Sequence, residues 1–155
     1  MQRGERELTL TELEIREVGR SAHDTIFKLN QVIFDEDRVI NSFNRQGLLQ
    51  LLALHRGRPV GFKIGYEQRP GVFYSAKGGV LPDHRRMGIA TALLDEMIAI
   101  VRKDGYQKFV FDTFPNMHPG MTMLALAREF RLTKADFNHT YQDYRLQFTR
   151  ELKEK

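Results

Sequence analysis

The hydrophobic pattern changes its period several times along the chain, and each change predicts a new element. In residues 8–18 apolar positions partly alternate with polar ones, which predicts a strand. Residues 26–33 carry apolar side chains at helical spacing, and either Ser21 or Asp24 can cap the helix that this spacing predicts. A short polar helix is expected to follow at residues 37–43.

Three runs of strand length occupy the middle of the chain. Residues 48–55 and 60–66 are mainly apolar and flank a turn that contains Gly57 and Pro59, so they predict a β-hairpin. A second turn leads into residues 72–81, the predicted third strand of the meander. Its paired glycines are expected to weaken regular pairing and to permit a bulge or a close backbone approach.

The second half of the chain alternates between helical and strand patterns. Helical spacing starts at Gly88 and stops at residues 104–105. Residues 108–114 predict a short buried strand, residues 121–130 a helix, and residues 135–148 two further strands. This order predicts an α+β fold with a mixed, mostly antiparallel sheet of about six or seven strands, flanked by helices.

Composition narrows the class of protein. The chain has 155 residues, of which 41% are hydrophobic, so a single domain over residues 1–155 can bury a sizeable core. It has no cysteine, which excludes a disulfide scaffold, a thiolate zinc site and a cysteine nucleophile. The five histidines show no paired helical spacing, so no metal is expected. Without a signal segment or a membrane-spanning run, we expect a cytoplasmic protein with no membrane partner.

The net charge of +4 is small and the basic residues are scattered. No recognition helix or aromatic platform is evident, so a nucleic-acid partner is not expected. A mild positive balance is compatible with a small anionic ligand.

One strand–loop–helix junction has the features of an anion site. The strand is predicted to end before Pro82, and a basic loop then leads to Gly88, where the helix begins. Free N–H groups at a helix N-terminus attract anions. Gly88 and Ala90 keep the backbone accessible, while Arg85 and Arg86 add positive charge. The junction therefore predicts a site for a phosphate or a pyrophosphate.

The spacing Arg-x-x-Gly-x-Ala at residues 85–90 resembles motif A of the GNAT superfamily, Gln/Arg-x-x-Gly-x-Gly/Ala. Val80, Pro82 and the leucine pair at residues 93–94 stand where that family has them, and the order of elements is similar. The Walker and dinucleotide-binding patterns are absent. The resemblance is clear over residues 48–132 and reaches the two ends only through the order of elements.

The resemblance implies an acyl-CoA-dependent N-acyltransferase that moves an acetyl group from acetyl-CoA directly to a primary amine in a ternary complex. It also implies that loop amides hold the pyrophosphate, that the preceding strand pairs with the pantetheine arm, and that an N–H near Val80 faces the thioester carbonyl. A homodimer is compatible with the family. The residues expected to bind the cofactor are Gly78, Gly79, Val80, Arg85, Arg86, Met87, Gly88, Ile89, Ala90 and Thr91.

The acceptor amine must lose a proton before it attacks, because a lysine-like amine titrates near ~10.4 in water. Five residues close to the expected reaction slot could take this proton, directly or through water. They are Glu67, Asp112 and His118, which we place first, with Tyr74 and Ser75.

The last predicted helix departs from the family pattern Asn-x(6)-Leu-Tyr-x-x-x-Gly-Phe, whose tyrosine protonates the departing thiolate. With Leu126 matched to the leucine, Ala127 stands at the tyrosine, residues 131–132 stand at Gly-Phe, and the asparagine position carries no asparagine. Both polar groups are missing in this alignment. A catalytically silent acyl-CoA-binding domain is therefore the alternative function, and the sequence does not define the amine acceptor.

Overall fold

The computed structural model describes residues 12–152, which form one seven-stranded sheet with three α-helices. The strands are β1 (Leu13–Val18), β2 (Leu49–His55), β3 (Arg58–Arg69), β4 (Val72–Val80), β5 (Lys108–Thr113), β6 (Arg131–Asn138) and β7 (Asp143–Glu151). The helices are α1 (His23–Phe34), α2 (Ile89–Lys103) and α3 (Pro119–Ala127). The strand order is β1-β2-β3-β4-β5-β7-β6, and the pairing of β4 with β5 is parallel while the others are antiparallel. Over residues 12–152, no helix has both the length and the apolar character needed to cross a membrane.

This architecture confirms the predicted α+β fold with a mixed, mostly antiparallel sheet. The first predicted strand is confirmed at residues 13–18, whereas residues 8–11 lie outside the described residues. The central meander and the two C-terminal strands are also confirmed. The last helix ends at Ala127 rather than at residue 130, because Glu129 adopts the left-handed region with a φ of 66°.

The short polar helix predicted at residues 37–43 is wrong, since the structure has bends there and no helix. The buried Asn30 explains the difference. Its Nδ2 donates to the carbonyl oxygens of Glu36 at 2.8 Å and Arg38 at 3.3 Å. These bonds fasten the segment to α1 in a non-helical conformation, so a tertiary contact accompanies the loss of the predicted helix.

The two faces of the sheet carry separate apolar clusters. On one face, the buried side of α2, including Leu93 and Met97, packs on Phe109 and Phe111 of β5. This face also receives α3, through the buried Ala125. On the other face, α1 packs over the middle of β2 and β3. Residues that pair directly across two strands point to the same face of the sheet. Every polar group near β4 can therefore be assigned to the α2 side or to the α1 side.

The strands β4 and β5 separate after a short stretch of pairing. Their register ends at Ser75 and Phe111, whereas β4 continues along β3 as far as Val80. Ala76 is an extra residue in β4. Ser75 pairs with Gly65 of β3 and Lys77 pairs with Ile64, so no β3 residue pairs with Ala76. We call the opening between residues 76–80 of β4 and the end of β5 the β4–β5 slot.

The paired glycines Gly78 and Gly79 do not form the bulge that we considered for them, since both are in register with Lys63 and Phe62 of β3. Their role is close approach. A Cβ atom on Gly79 would lie 2.8 Å from Cγ2 of Ile33 in α1. Gly79 therefore lets α1 pack directly against β4.

Candidate functional site

The loop between β4 and α2 turns through two residues in the left-handed region. Arg86 has a φ of 63° and Gly88 a φ of 82°. For a non-glycine residue this conformation costs on the order of 1–3 kcal/mol, and such residues cluster at ligand sites. Backbone that alternates in this way directs successive N–H groups into a concavity that suits an anion.

The start of α2 has backbone donors without an internal acceptor. Gly88 is the N-cap residue, and no side chain of the described residues caps the helix. The first helical bond runs from the N–H of Ala92 to the carbonyl of Gly88, at 3.0 Å. The N–H groups of Ile89, Ala90 and Thr91 are thus the orphan donors of the first turn, at the positive end of the helix dipole.

Arg85 links this loop to the end of β4. Its Nε donates to the carbonyl oxygen of Val80 at 3.1 Å, and the residue as a whole is exposed. Leu81 donates its N–H to Val60 of β3 at 2.8 Å. Since successive residues of a strand point their backbone groups to opposite sides, Val80 and Gly78 direct theirs to the β4–β5 slot.

A polar bridge crosses the sheet where β4 and β5 separate. The Oη of Tyr74 donates to Oδ2 of Asp112 at 2.8 Å, and Nη2 of Arg145 donates to the same oxygen at 2.8 Å. Burial, followed by the charge of Asp112 and its hydrogen bond, raises the pKa of Tyr74, so the phenol keeps its proton. Phe73 and Phe111 lie beneath α2, and alternation places Tyr74 and Asp112 on the α1 side.

Glu67 lies far from the loop that precedes α2. It faces Phe73 near the start of β4, and at ~3.3 Å per residue this is roughly 20 Å from Val80. Its carboxylate accepts a hydrogen bond from Oη of Tyr106 at 3.0 Å. Burial, together with that bond, raises the pKa of Tyr106 to about 12. The structure therefore does not bring Glu67 together with the anion-binding loop.

The two remaining proton-acceptor candidates differ in exposure. His118 is exposed at the N-cap position of α3, and its N–H bonds to the carbonyl of Phe114 at 2.8 Å. Ser75 is buried at the last paired position of β4. Asp112 combines partial burial with a place at the opening of the slot, with a side chain 12% exposed.

The end of α3 shifts the alignment with the family pattern by two residues toward the N-terminus. Glu129 has the positive φ that a glycine adopts readily, and Phe130 is buried, whereas residues 131–132 are exposed at the start of β6. The Gly-Phe step therefore fits residues 129–130. The tyrosine position then falls on Ala125, which is 0% exposed, and the asparagine position falls on Met117.

Asn116, next to that asparagine position, has a structural role. It donates to Asp143 through Nδ2 at 2.7 Å and through its N–H at 2.9 Å, and Met117 adds a third bond at 3.2 Å. Burial alone would raise the pKa of Asp143, but these bonds and one from Tyr144 outweigh it and lower the pKa. The cluster fastens the loop before α3 to the start of β7.

Lys63 of β3 is the polar group that sequence reasoning missed. It is 7% exposed, and burial lowers its pKa to about 8. The available signal was a single charged residue in the otherwise apolar run of residues 60–66. Lysine is seldom fully buried unless it is paired.

Comparison with known proteins supplies the family. The profile of the Acetyltransferase (GNAT) family matches residues 15–130. A search of curated proteins found no significant sequence match. In residues 12–152, histidine, aspartate and glutamate side chains form no group of three arranged to hold a metal ion.

Solved structures share the whole architecture at low sequence identity. The ribosomal-protein-S18-alanine N-acetyltransferase from Escherichia coli has a TM-score of 0.80 and 15% identity, over 92% of this chain and 96% of that chain. The structure of yncA from Salmonella typhimurium with its cofactor acetyl-CoA has a TM-score of 0.73 and 17% identity, over 93% and 96%. Arabidopsis thaliana NAA60 in complex with acetyl-CoA has a TM-score of 0.72 and 15% identity, over 90% and 97%.

The family profile spans about three quarters of the chain, and its matched residues include the β4–β5 slot and the uncapped start of α2. This chain belongs to the Acetyltransferase (GNAT) family.

Proposed function

We propose that this protein is an acyl-CoA-dependent N-acyltransferase that moves an acetyl group from acetyl-CoA directly to a primary amine in a ternary complex. The observation that carries the proposal is the uncapped first turn of α2, which follows two left-handed residues and adjoins the β4–β5 slot. The acetyl-CoA named in the yncA and NAA60 structures supports the choice of donor.

The donor would bind through backbone groups. Its pyrophosphate would accept hydrogen bonds from the N–H groups of residues 86–91, with Arg85 and Arg86 supplying charge. The pantetheine arm would lie in the slot as an added strand against Gly78 and Val80. Gly79, with its backbone turned to β3, would contribute by keeping α1 close to that edge. Met87 would contribute its N–H in the same loop.

The N–H of Val80 would serve as the donor to the thioester oxygen. It points into the slot by strand alternation and meets no strand partner of the described residues there. A donor held on a strand is already oriented when charge develops on the oxygen, so it stabilises the oxyanion without reorganisation.

The amine would approach from the α1 side, where Asp112 faces the opening of the slot. Its carboxylate is held by Tyr74 and Arg145 and would accept a proton from the incoming ammonium, directly or through water. His118 stays a candidate for relaying that proton, because it is exposed on the loop after β5. The distance between Glu67 and Val80 supports a structural role for Glu67, as the acceptor of the hydrogen bond from Tyr106.

Acetyl-CoA turnover over a panel of amines tests the activity, with thiol release as the readout. The expected result is amine-dependent release that an Asp112→Asn variant lowers by about 10²-fold or more at neutral pH. Amine-independent release alone would contradict the proposal.

The alternative is a catalytically silent acyl-CoA-binding domain. The buried Ala125 at the tyrosine position favours it, since α3 then offers no hydroxyl to the thiolate. Tight acetyl-CoA binding without thiol release on any amine would support this function instead. The cytoplasmic location and the homodimer stay predictions.

A further inference from the structure

Lys63 is a buried cation without a counter-ion. It lies in the middle of β3, opposite Leu51 of β2 and Gly78 of β4, on the α2 side of the sheet. Burial lowers its pKa, and within residues 12–152 no hydrogen bond or ion pair joins its ammonium to another group. A charge removed from water without a partner destabilises the fold, so Lys63 calls for an explanation.

The elements packed around Lys63 explain why nothing neutralises it. The neighbouring strand β2 contributes the buried Leu51, and β4 contributes a glycine. The helix in front contributes apolar side chains such as Ile89 and Leu93. Within the described part of the chain these neighbours offer no titratable partner, so an anion from outside would be stabilised as soon as it came within reach.

The missing side chain of Gly78 opens a path from Lys63 to the β4–β5 slot. A Cβ atom on Gly78 would lie only 3.2 Å from Cγ of Lys63, which shows that the lysine stem leans over β4. The backbone of Gly78 forms the edge of the slot on the other side of that strand. If the Lys63 side chain extends past Gly78, its ammonium therefore enters the slot from the α2 side.

We propose that the Lys63 ammonium reaches the slot across Gly78 and stabilises the coenzyme A thiolate by its charge as it leaves. This inference rests on the proposed function. The anion-binding turn lies at the start of α2, so the donor lies toward the α2 side, whereas Asp112 and the amine lie on the α1 side. The proton acceptor and the ammonium that faces the leaving sulfur thus lie on opposite sides of the reacting carbon.

The step balances with Lys63 as a fixed charge. The amine nitrogen attacks the thioester carbon, the C–S bond breaks, and its electron pair stays on sulfur as a thiolate. The proton that the nitrogen loses goes to Asp112 or to water, and the sulfur takes a proton from water after release. A nearby ammonium stabilises the thiolate and so favours C–S cleavage. In this role Lys63 does the work for which Ala125 offers no hydroxyl.

The test uses Lys63→Met, which keeps the stem and removes the charge. Its control is Lys77→Met in β4, which also removes a partly buried lysine beside the slot, but one that pairs with Glu36 at 2.7 Å on the α1 side. Calorimetry gives the affinities of each protein for coenzyme A and acetyl-CoA, and ultraviolet thiolate absorbance gives the pKa of the bound thiol. Both readouts are independent of the unknown acceptor.

The wild-type protein is expected to bind coenzyme A with a thiol pKa at least one unit below ~8.5. Lys63→Met is expected to abolish that shift and to weaken the binding of coenzyme A at pH ~8.5 about fivefold more than that of acetyl-CoA, which has no ionisable thiol. Lys77→Met is expected to keep the wild-type difference. If Lys63→Met weakens the binding of both ligands equally, or of neither, the role of Lys63 is overturned. The proposal that the protein binds acetyl-CoA is not affected by that result. Failure of the wild-type protein to bind either ligand overturns the proposed function and this inference together.

Discussion

At the scale of single residues, backbone conformation matters more than side-chain chemistry in the candidate anion site. Gly88 combines a φ of 82° with the N-cap position, and it carries no side chain that could occupy the place of a ligand. Arg86 accepts the same left-handed region at an energetic cost. The loop therefore presents N–H groups in a geometry that few sequences adopt.

Gly88→Ala is expected to weaken coenzyme A binding by tenfold or more in calorimetry. The added Cβ strains the left-handed conformation by about 1–2 kcal/mol and lies beside the amides that the phosphates need. The control is Gly57→Ala in the turn between β2 and β3. That glycine has a similar φ of 76° and open space around it, so the strain is matched but the ligand site is untouched. Equal affinity for all three proteins would count against the loop as the binding site.

At the scale of elements, the slot exists because β4 has one residue more than its pairing needs. The bulge at Ala76 coincides with the last β4–β5 pair at Ser75, and a bulge increases local twist and bends the strand. Beyond this point β4 follows β3 alone. The close packing of α1 on Gly79 then stabilises that extension from the α1 side.

Gly79→Ala and Gly120→Ala are expected to change the free energy of unfolding in opposite directions. At position 79 the new Cβ meets Ile33 at 2.8 Å, and such overpacking costs about 1–3 kcal/mol. At position 120, in the first turn of α3, the space is open and φ is not positive, so alanine stabilises by about 0.4–1 kcal/mol because it restricts the unfolded chain. Urea denaturation measures both variants. Similar midpoints for the two would show that α1 does not depend on close contact with β4.

At the scale of the whole molecule, two buried ionisable groups shape the dependence of stability on pH. The pKa of Asp143 is lowered in the folded state, so its contribution is complete above ~3.9 and is lost as the pH falls through the folded value. The pKa of Lys63 is lowered from 10.5 to about 8, so the unfolded chain binds more protons between these values. Stability from this group therefore rises with pH across that window.

Asp143→Asn is expected to lower the urea midpoint at pH 7 and to flatten the loss of stability below pH ~4, because its amide faces N–H donors.

Lys63→Met is expected to raise the unfolding free energy at pH 7 by about 2 kcal/mol and to remove the rise between pH 8 and 10.5. Urea titrations at a series of pH values check both. An unchanged alkaline limb in Lys63→Met would mean that this amine is solvated in the folded protein.

What the sequence determined by itself is local. Apolar periodicity predicted the strands and helices of residues 12–152 apart from the segment at 37–43, and the glycine at position 88 with its flanking arginines predicted the uncapped helix start that forms the candidate anion site. These features depend on neighbours a few residues apart, so their physical basis can be read along the chain.

Only the tertiary structure decided which distant groups meet. It brought Asp112 to Tyr74 and Arg145, placed Glu67 at the far end of β4, and buried Lys63 beside Gly78. It also replaced the predicted helix at 37–43 with a segment held by Asn30. Each of these outcomes depends on strand register and on side chains far apart in sequence, and a shift of one residue would turn every such side chain to the other face of the sheet.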